Sequence, residues 1–114
     1  MEDCLFCRIV RGDLKSDVVW EGAEVLAFRD INPQAPTHVV IVPKGHIPDL
    51  PGVTDEQGPM LAEMVRAVRE LAAREGVAED GYRVVTNVGS DAGQSVAHLH
   101  FHLLGGRRLG WPPG

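Results

Sequence analysis

The chain has 114 residues, 44% of them hydrophobic and 24% charged, with a formal net charge of −5. That length suits one domain with a real core and is too short for two independent ones, and so apolar a composition excludes disorder. The negative balance excludes an electrostatic grip on a nucleic-acid polymer, which needs clustered Lys and Arg to release counterions, and leaves a single nucleotide admissible as ligand.

No apolar run approaches the roughly 20 residues of a membrane span. The opening "MEDCLFCRIVRGD" sets acids before any apolar stretch, unlike a secretory signal, so a cytoplasmic protein without membrane attachment is expected. In chain order, "LFCRIVRGD" spaces Phe6, Ile9 and Val10 as a short helix stopped by Gly12. "VVWEGAEVLAFRD" reads as two strands around a turn at residues 21–23, and the prolines of "INPQAPTH" break regular structure before "VVIVPK", a β-branched run suited to a central strand.

A long helix follows. Thr54 and Gln57 have capping-box spacing, and Leu61, Met64, Val65, Val68, Leu71 and Ala72 form one apolar stripe ending near Gly76, with Pro59 in the first turns or at a break before the main body. "YRVVTNV" and "VAHLHFHLL" read as two further strands separated by "GSDAGQS". This order predicts a single α+β domain over residues 1–114, with a mostly antiparallel sheet of five strands, one long helix on one face and a short N-terminal helix.

The last strand carries three of the five histidines. Side chains alternate faces along a strand, so Leu99, Phe101 and Leu103 turn to the core while His98, His100 and His102 share the other face at intervals of roughly 6.5 to 7 Å. A solvated polar face explains one such histidine well and three in strict alternation poorly. Imidazole titrates near neutrality and serves as nucleophile, proton carrier or metal ligand. The adjoining "NVGSDAGQS" brings Gly89, Gly93 and Ser95, whose backbone and hydroxyl donors suit an anion, which together suggests a phosphate held against imidazole.

Cys4 and Cys7 form a C-x₂-C pair, which in a cytosolic chain reads as metal-binding or redox-active. Two thiolates are half of a tetrahedral zinc site and need two more ligands; two packed thiols are the alternative.

"HLHFHLL" resembles the signature of the histidine triad superfamily, His-φ-His-φ-His-φ-φ with φ apolar, and "DINPQAPTH", "GQS" and "WPPG" are similar to its Hint branch, the histidine triad nucleotide-binding proteins. The resemblance runs from the N-terminus to the last residue. It implies hydrolysis of purine nucleoside 5′-phosphoramidates: His100 attacks the α-phosphorus, and water then hydrolyses the nucleotidyl-histidine and releases the monophosphate. It further implies that His102 touches the phosphate and protonates the departing amine, that Ser95 is a hydroxyl donor near the leaving group, and that Gly93 and Gln94 bring backbone donors to the phosphate. His38 matches a fourth histidine supporting the nucleophile. Asp30 and Ile31 match ribose and base contacts for an AMP- or GMP-type ligand, and Asn87 a ribose or phosphate ligand.

By the same resemblance the chemistry needs no cofactor, whereas several relatives hold a structural zinc with a cysteine pair and two histidines, here Cys4, Cys7, His46 and His98. Other members of the Hint branch lack both cysteines and fold without metal. Relatives ending in "WPPG" are dimers with one continuous ten-stranded sheet, and the tail, here with Trp111, reaches the partner's active site. Asn32 stands where many relatives have serine, and Ala97 where a bulkier residue is common, which bears on pocket shape. Three other readings stay open: a nucleotide-binding or scaffolding module with incidental hydrolysis, a metallohydrolase using all three histidines, and cleavage of dinucleoside polyphosphates.

Overall fold

In the computed structural model, which describes residues 3–114, the β-branched run Thr37–Pro43 forms strand β3 and is buried at every position. It can be apolar on both faces because both are covered. The order is α1 (Leu5–Arg11), β1 (Val18–Glu21), β2 (Val25–Arg29), β3, α2 (Gly58–Arg74), β4 (Tyr82–Val85) and β5 (Phe101–Gly105), with single 3₁₀ turns at Leu50–Gly52 and Asp55–Gln57. The five strands lie in the order β1-β2-β3-β5-β4, and every neighbouring pair is antiparallel. The expected α+β architecture is present, and the sheet is antiparallel throughout.

Strand alternation sorts the core into two clusters. Val25, Ala27, Val39, Ile41, Leu99 and Leu103 pack against Met60, Met64, Ala67, Val68 and Leu71 of α2. Leu26, Phe28, Val40 and Val42 face the other way and meet Phe6 of α1. The short helix therefore covers part of the second face, a packing site its periodicity did not specify.

Three expectations need correction. The Thr54–Gln57 capping box forms, but it closes the 3₁₀ turn ahead of α2, which itself starts at Gly58 with Pro59 in its first turn. The buried stripe of α2 is rotated towards Met60 and Ala67, leaving Val65 48% exposed. The last strand is also shorter than its alternation suggests: pairing with β3 begins at Phe101 opposite Ile41. His98 and His100 precede it on an irregular segment, held by Leu99, whose N–H donates to the Ile47 carbonyl at 2.6 Å and whose side chain is buried in the α2 cluster. With Leu99 turned inward, both flanking imidazoles turn to the α1 side. Among the described residues no helix is long and apolar enough to cross a membrane.

Candidate active site and metal-ligand cluster

A cavity of about 320 Å³ opens on the α1 side of the sheet. That volume is at the small end of ligand pockets. Leu5, Phe6 and Ile9 of α1 form one wall, Phe28 and Val40 the sheet-borne floor, and His100, His102 and Ser95 one end, while Asp30, Ile31 and the link Leu14–Ser16 line the remainder. Its body is apolar, and its ionisable groups are Lys15, Arg29, Asp30, His100 and His102.

His100 is 4% exposed. Its Nδ1 lies 2.7 Å from the His98 carbonyl. A carbonyl only accepts, so Nδ1 carries the proton and Nε2 keeps the lone pair. The Phe6 ring stands T-shaped to this one, with centroids 5.0 Å apart, which excludes water from one side of it.

His102 is assigned by a longer chain of bonds. The Gln34 N–H donates to His38 Nδ1 at 3.0 Å, so the neutral His38 ring bears its proton on Nε2. That Nε2 lies 2.9 Å from His102 Nδ1 and 3.3 Å from Asp30 Oδ2. His38 therefore donates to His102, whose own N–H is left on Nε2. Burial first, then the neighbouring His100 and His38, push His102 down to about 4, with Asp30 pulling the other way. Burial also lowers His38, again opposed by Asp30. His38 and His102 are both neutral near pH 7, His38 with its N–H directed at His102 and His102 with an Nε2–H left to present. The other Asp30 oxygen accepts the Asn32 N–H at 2.8 Å and fixes the turn. His38 thus supports His102 directly, where sequence resemblance assigned its support to the nucleophile.

The cysteines meet two histidines. Cys4 Sγ is 3.2 Å from His98 Nδ1, Cys7 Sγ is 3.3 Å from His46 Nδ1 and 3.6 Å from His98 Nδ1, and the two Nδ1 atoms are 3.2 Å apart. Tetrahedral zinc with bonds of about 2.3 Å to sulfur and 2.0–2.1 Å to nitrogen requires S···N edges of about 3.6 Å and N···N edges of about 3.4 Å. These donors match that figure to within a few tenths of an ångström. His98 Nε2 donates to the Pro43 carbonyl at 2.8 Å, which turns the Nδ1 lone pair towards the thiols, and burial holds the ring below the ordinary histidine range. Burial and then Cys4 raise the Cys7 thiol, an arrangement two thiolates sustain with a cation between them. The four residues fit a structural metal. Asp30, His38 and His102 also converge, but the proton on His38 Nε2 denies an ion the lone pair it would need there. Because His98 points to the cysteines, the three triad imidazoles do not form one metal site.

Of the remaining sequence candidates, Ser95 and Ile31 line the cavity, Ile31 with 98% of its surface exposed. Gly93 and Gln94 do not line it. Their N–H groups donate to the Ser90 and Gly89 carbonyls, and the Gln94 amide bonds the Pro48 and Val96 carbonyls, so here they brace the loop that presents Ser95. Asn87 is half-buried beyond the end of β4 and outside the cavity lining, and Trp111 is 83% exposed on the tail. Sequence reasoning missed the α1 wall and Lys15. The helical spacing of Phe6 and Ile9 marked an apolar face without saying that a cavity lies beneath it.

A HIT domain family model matches residues 11–109. The chain is 46% identical over 109 residues to the purine nucleoside phosphoramidase of Escherichia coli K12, covering 96% of this chain and 92% of that one. It is 48% identical over 113 residues to an uncharacterized HIT-like protein of Synechococcus elongatus, covering 99% and 98% of the two. Among solved structures, a HIT family hydrolase from Legionella pneumophila superposes with a TM-score of 0.95 at 51% identity, over 98% of this chain and 100% of that one. A histidine triad protein from Clostridium difficile does so with a TM-score of 0.92 at 40% identity, over 96% of each. With this agreement along nearly its whole length, the chain belongs to the HIT domain family, as a hydrolase of that superfamily.

Proposed function

We propose that the protein hydrolyses purine nucleoside 5′-phosphoramidates through a nucleotidyl-His100 intermediate. The observation that carries this reading is the 2.7 Å bond from His100 Nδ1–H to the His98 carbonyl, which leaves a neutral Nε2 lone pair at the cavity end. In the first displacement Nε2 bonds to the α-phosphorus as the P–N bond to the amine breaks. His102 gives its Nε2–H to the departing nitrogen as its Nδ1 takes the proton of His38 Nε2, and His38 is reprotonated from solvent, so the amine leaves neutral with net uptake of one proton. Water then attacks phosphorus, the P–Nε2 bond breaks, and one proton is released with the monophosphate. Throughout, Nδ1–H stays on the His98 carbonyl, which stabilises the charge on the substituted ring.

The rest of the cavity suits the nucleoside. In this reading Asp30 takes the ribose hydroxyls, Ile31 with the α1 wall takes the purine faces, and Ser95 serves the leaving group; all three line the cavity. Asn87 and the backbone of Gly93 and Gln94 enter this reading as contacts made once the loop has shifted onto a phosphate, and Trp111 as a contact to a partner's site in a homodimer. Cys4, Cys7, His46 and His98 would hold a structural zinc, which supplies rigidity and no step of the reaction. The relative named a purine nucleoside phosphoramidase supports the substrate class. The test is hydrolysis of adenosine 5′-phosphoramidate by wild type and His100→Ala. A loss of at least ~10³ in rate is expected, the scale of removing a covalent catalyst, and equal rates end this mechanism.

A further inference from the structure

Of the elements around the cavity, α1 is a single short helix outside the sheet. Seven residues make a marginal helix on their own, and this one buries only Phe6 and Cys7. Yet it supplies a whole wall of the cavity through Leu5, Phe6 and Ile9. Besides the packing of Phe6, Ile9 and Val10 on the sheet, its attachment points are Cys4, which caps its first turn through a Cys7 N–H bond to Sγ, and Cys7 itself, both within 3.6 Å of histidine Nδ1 atoms on other segments. Between the two cysteines sits Phe6, T-shaped to His98 and to His100 with ring centroids 5.8 Å and 5.0 Å away. The four side chains that fit a metal therefore join the wall to the residue whose carbonyl holds the nucleophile. Asp30, His38 and His102 are carried by the sheet, whose other face is packed on α2, and do not depend on α1 for support.

Resting on the nucleotide reading above, we infer that Cys4 and Cys7 are positioning residues: a filled Cys4–Cys7–His46–His98 set docks α1 over the cavity and so decides how tightly nucleotide is held. The link between metal and substrate is mechanical, passing through Phe6, and it is local to one wall.

The test compares zinc-saturated wild type, the same protein stripped by a chelator, and a Cys4→Ser/Cys7→Ser double variant. AMP binding is measured by calorimetry and amide hydrogen exchange by mass spectrometry. Stripping and the double substitution should each weaken AMP by roughly tenfold or more, the size of one lost apolar anchor. Each should speed exchange in residues 5–11 alone, and added Zn²⁺ should restore both properties in wild type and neither in the variant. Unchanged AMP affinity with α1 still protected would overturn the inference. Loss of protection in β3 and β5 together with α1 would do so too, since the metal would then hold the whole domain. Phe6→Ala keeps all four ligands, so it should retain one zinc per chain and still bind AMP weakly; full affinity there removes the wall from the account. Zinc-loaded wild type that ignores AMP, while α1 still loosens on stripping, sinks the nucleotide reading and leaves the docking standing.

Discussion

His102 sits among groups that act on its proton in opposite directions. Burial, His100 and His38 favour the neutral ring and Asp30 the charged one, and the balance puts it at about 4 against an ordinary 6.5. Between those two values the unfolded chain binds a proton that the folded chain does not. Stability linked to His102 is therefore fully present above about pH 6.5 and is lost as pH falls towards 4. Denaturant midpoints measured across that window should drop for wild type and drop less steeply for His102→Gln. The slope should not vanish in the variant, because His38 and His98 are lowered too; identical slopes in the two proteins would show that His102 is not held neutral. The alternation of "HLHFHLL" discloses that these rings share a face and nothing about which nitrogen of each holds hydrogen. That is fixed by the His98 carbonyl and the Gln34 amide, groups every sequence possesses and only a fold aims.

Among the elements, α2 shows where pattern and packing part. Met64 and Val65 belong to the same apolar stripe in sequence, yet Met64 is fully buried against the sheet and Val65 is 48% exposed. Helical periodicity defines a stripe's width, while the sheet beneath selects which part of it is covered. Met64→Ala should cost about 2–5 kcal/mol, a buried side chain lost from a packed core, and Val65→Ala should stay within about 0.5 kcal/mol, both read from urea unfolding. Comparable losses at the two positions would mean that the helix is rotated from the orientation described here. The early part of the last expected strand parts from its pattern in a related way. Its alternation continues back to His98, but hydrogen-bonded pairing starts at Phe101, where β3 still has residues opposite it. Strand partners are a tertiary fact, so the sequence pattern overran the strand by several residues while still assigning the faces correctly.

At the scale of the molecule, the sheet ends in an edge of unusual character. β4 is the outermost strand, and Tyr82 and Val84 on it are 39% and 41% exposed. A Lys- or Pro-blunted edge is the common protection against pairing with another chain, and β4 has neither. The tail is tied to the same edge, since the Arg83 guanidinium donates to the Gly110 carbonyl at 2.8 Å and leaves Trp111 exposed beside it. Two copies related by a two-fold axis beside β4 and perpendicular to the sheet would pair the two β4 edges and join the sheets into ten strands, with the tails beside the seam between the subunits. Light scattering should then give a mass twice the 12.4 kDa of the chain, and Val84→Arg, a charge placed on the contact, should halve it while the far-ultraviolet circular dichroism is unchanged. A wild type that travels as a monomer at micromolar concentration would rule out the ten-stranded assembly. The tail's role separates from the edge's role by combining changes. If Trp111 acts on the partner's cavity, removing residues 109–114 should alter the preference among leaving amines in the dimer and have no effect in the Val84→Arg background, whereas an equal effect in both places the tail on its own subunit's site.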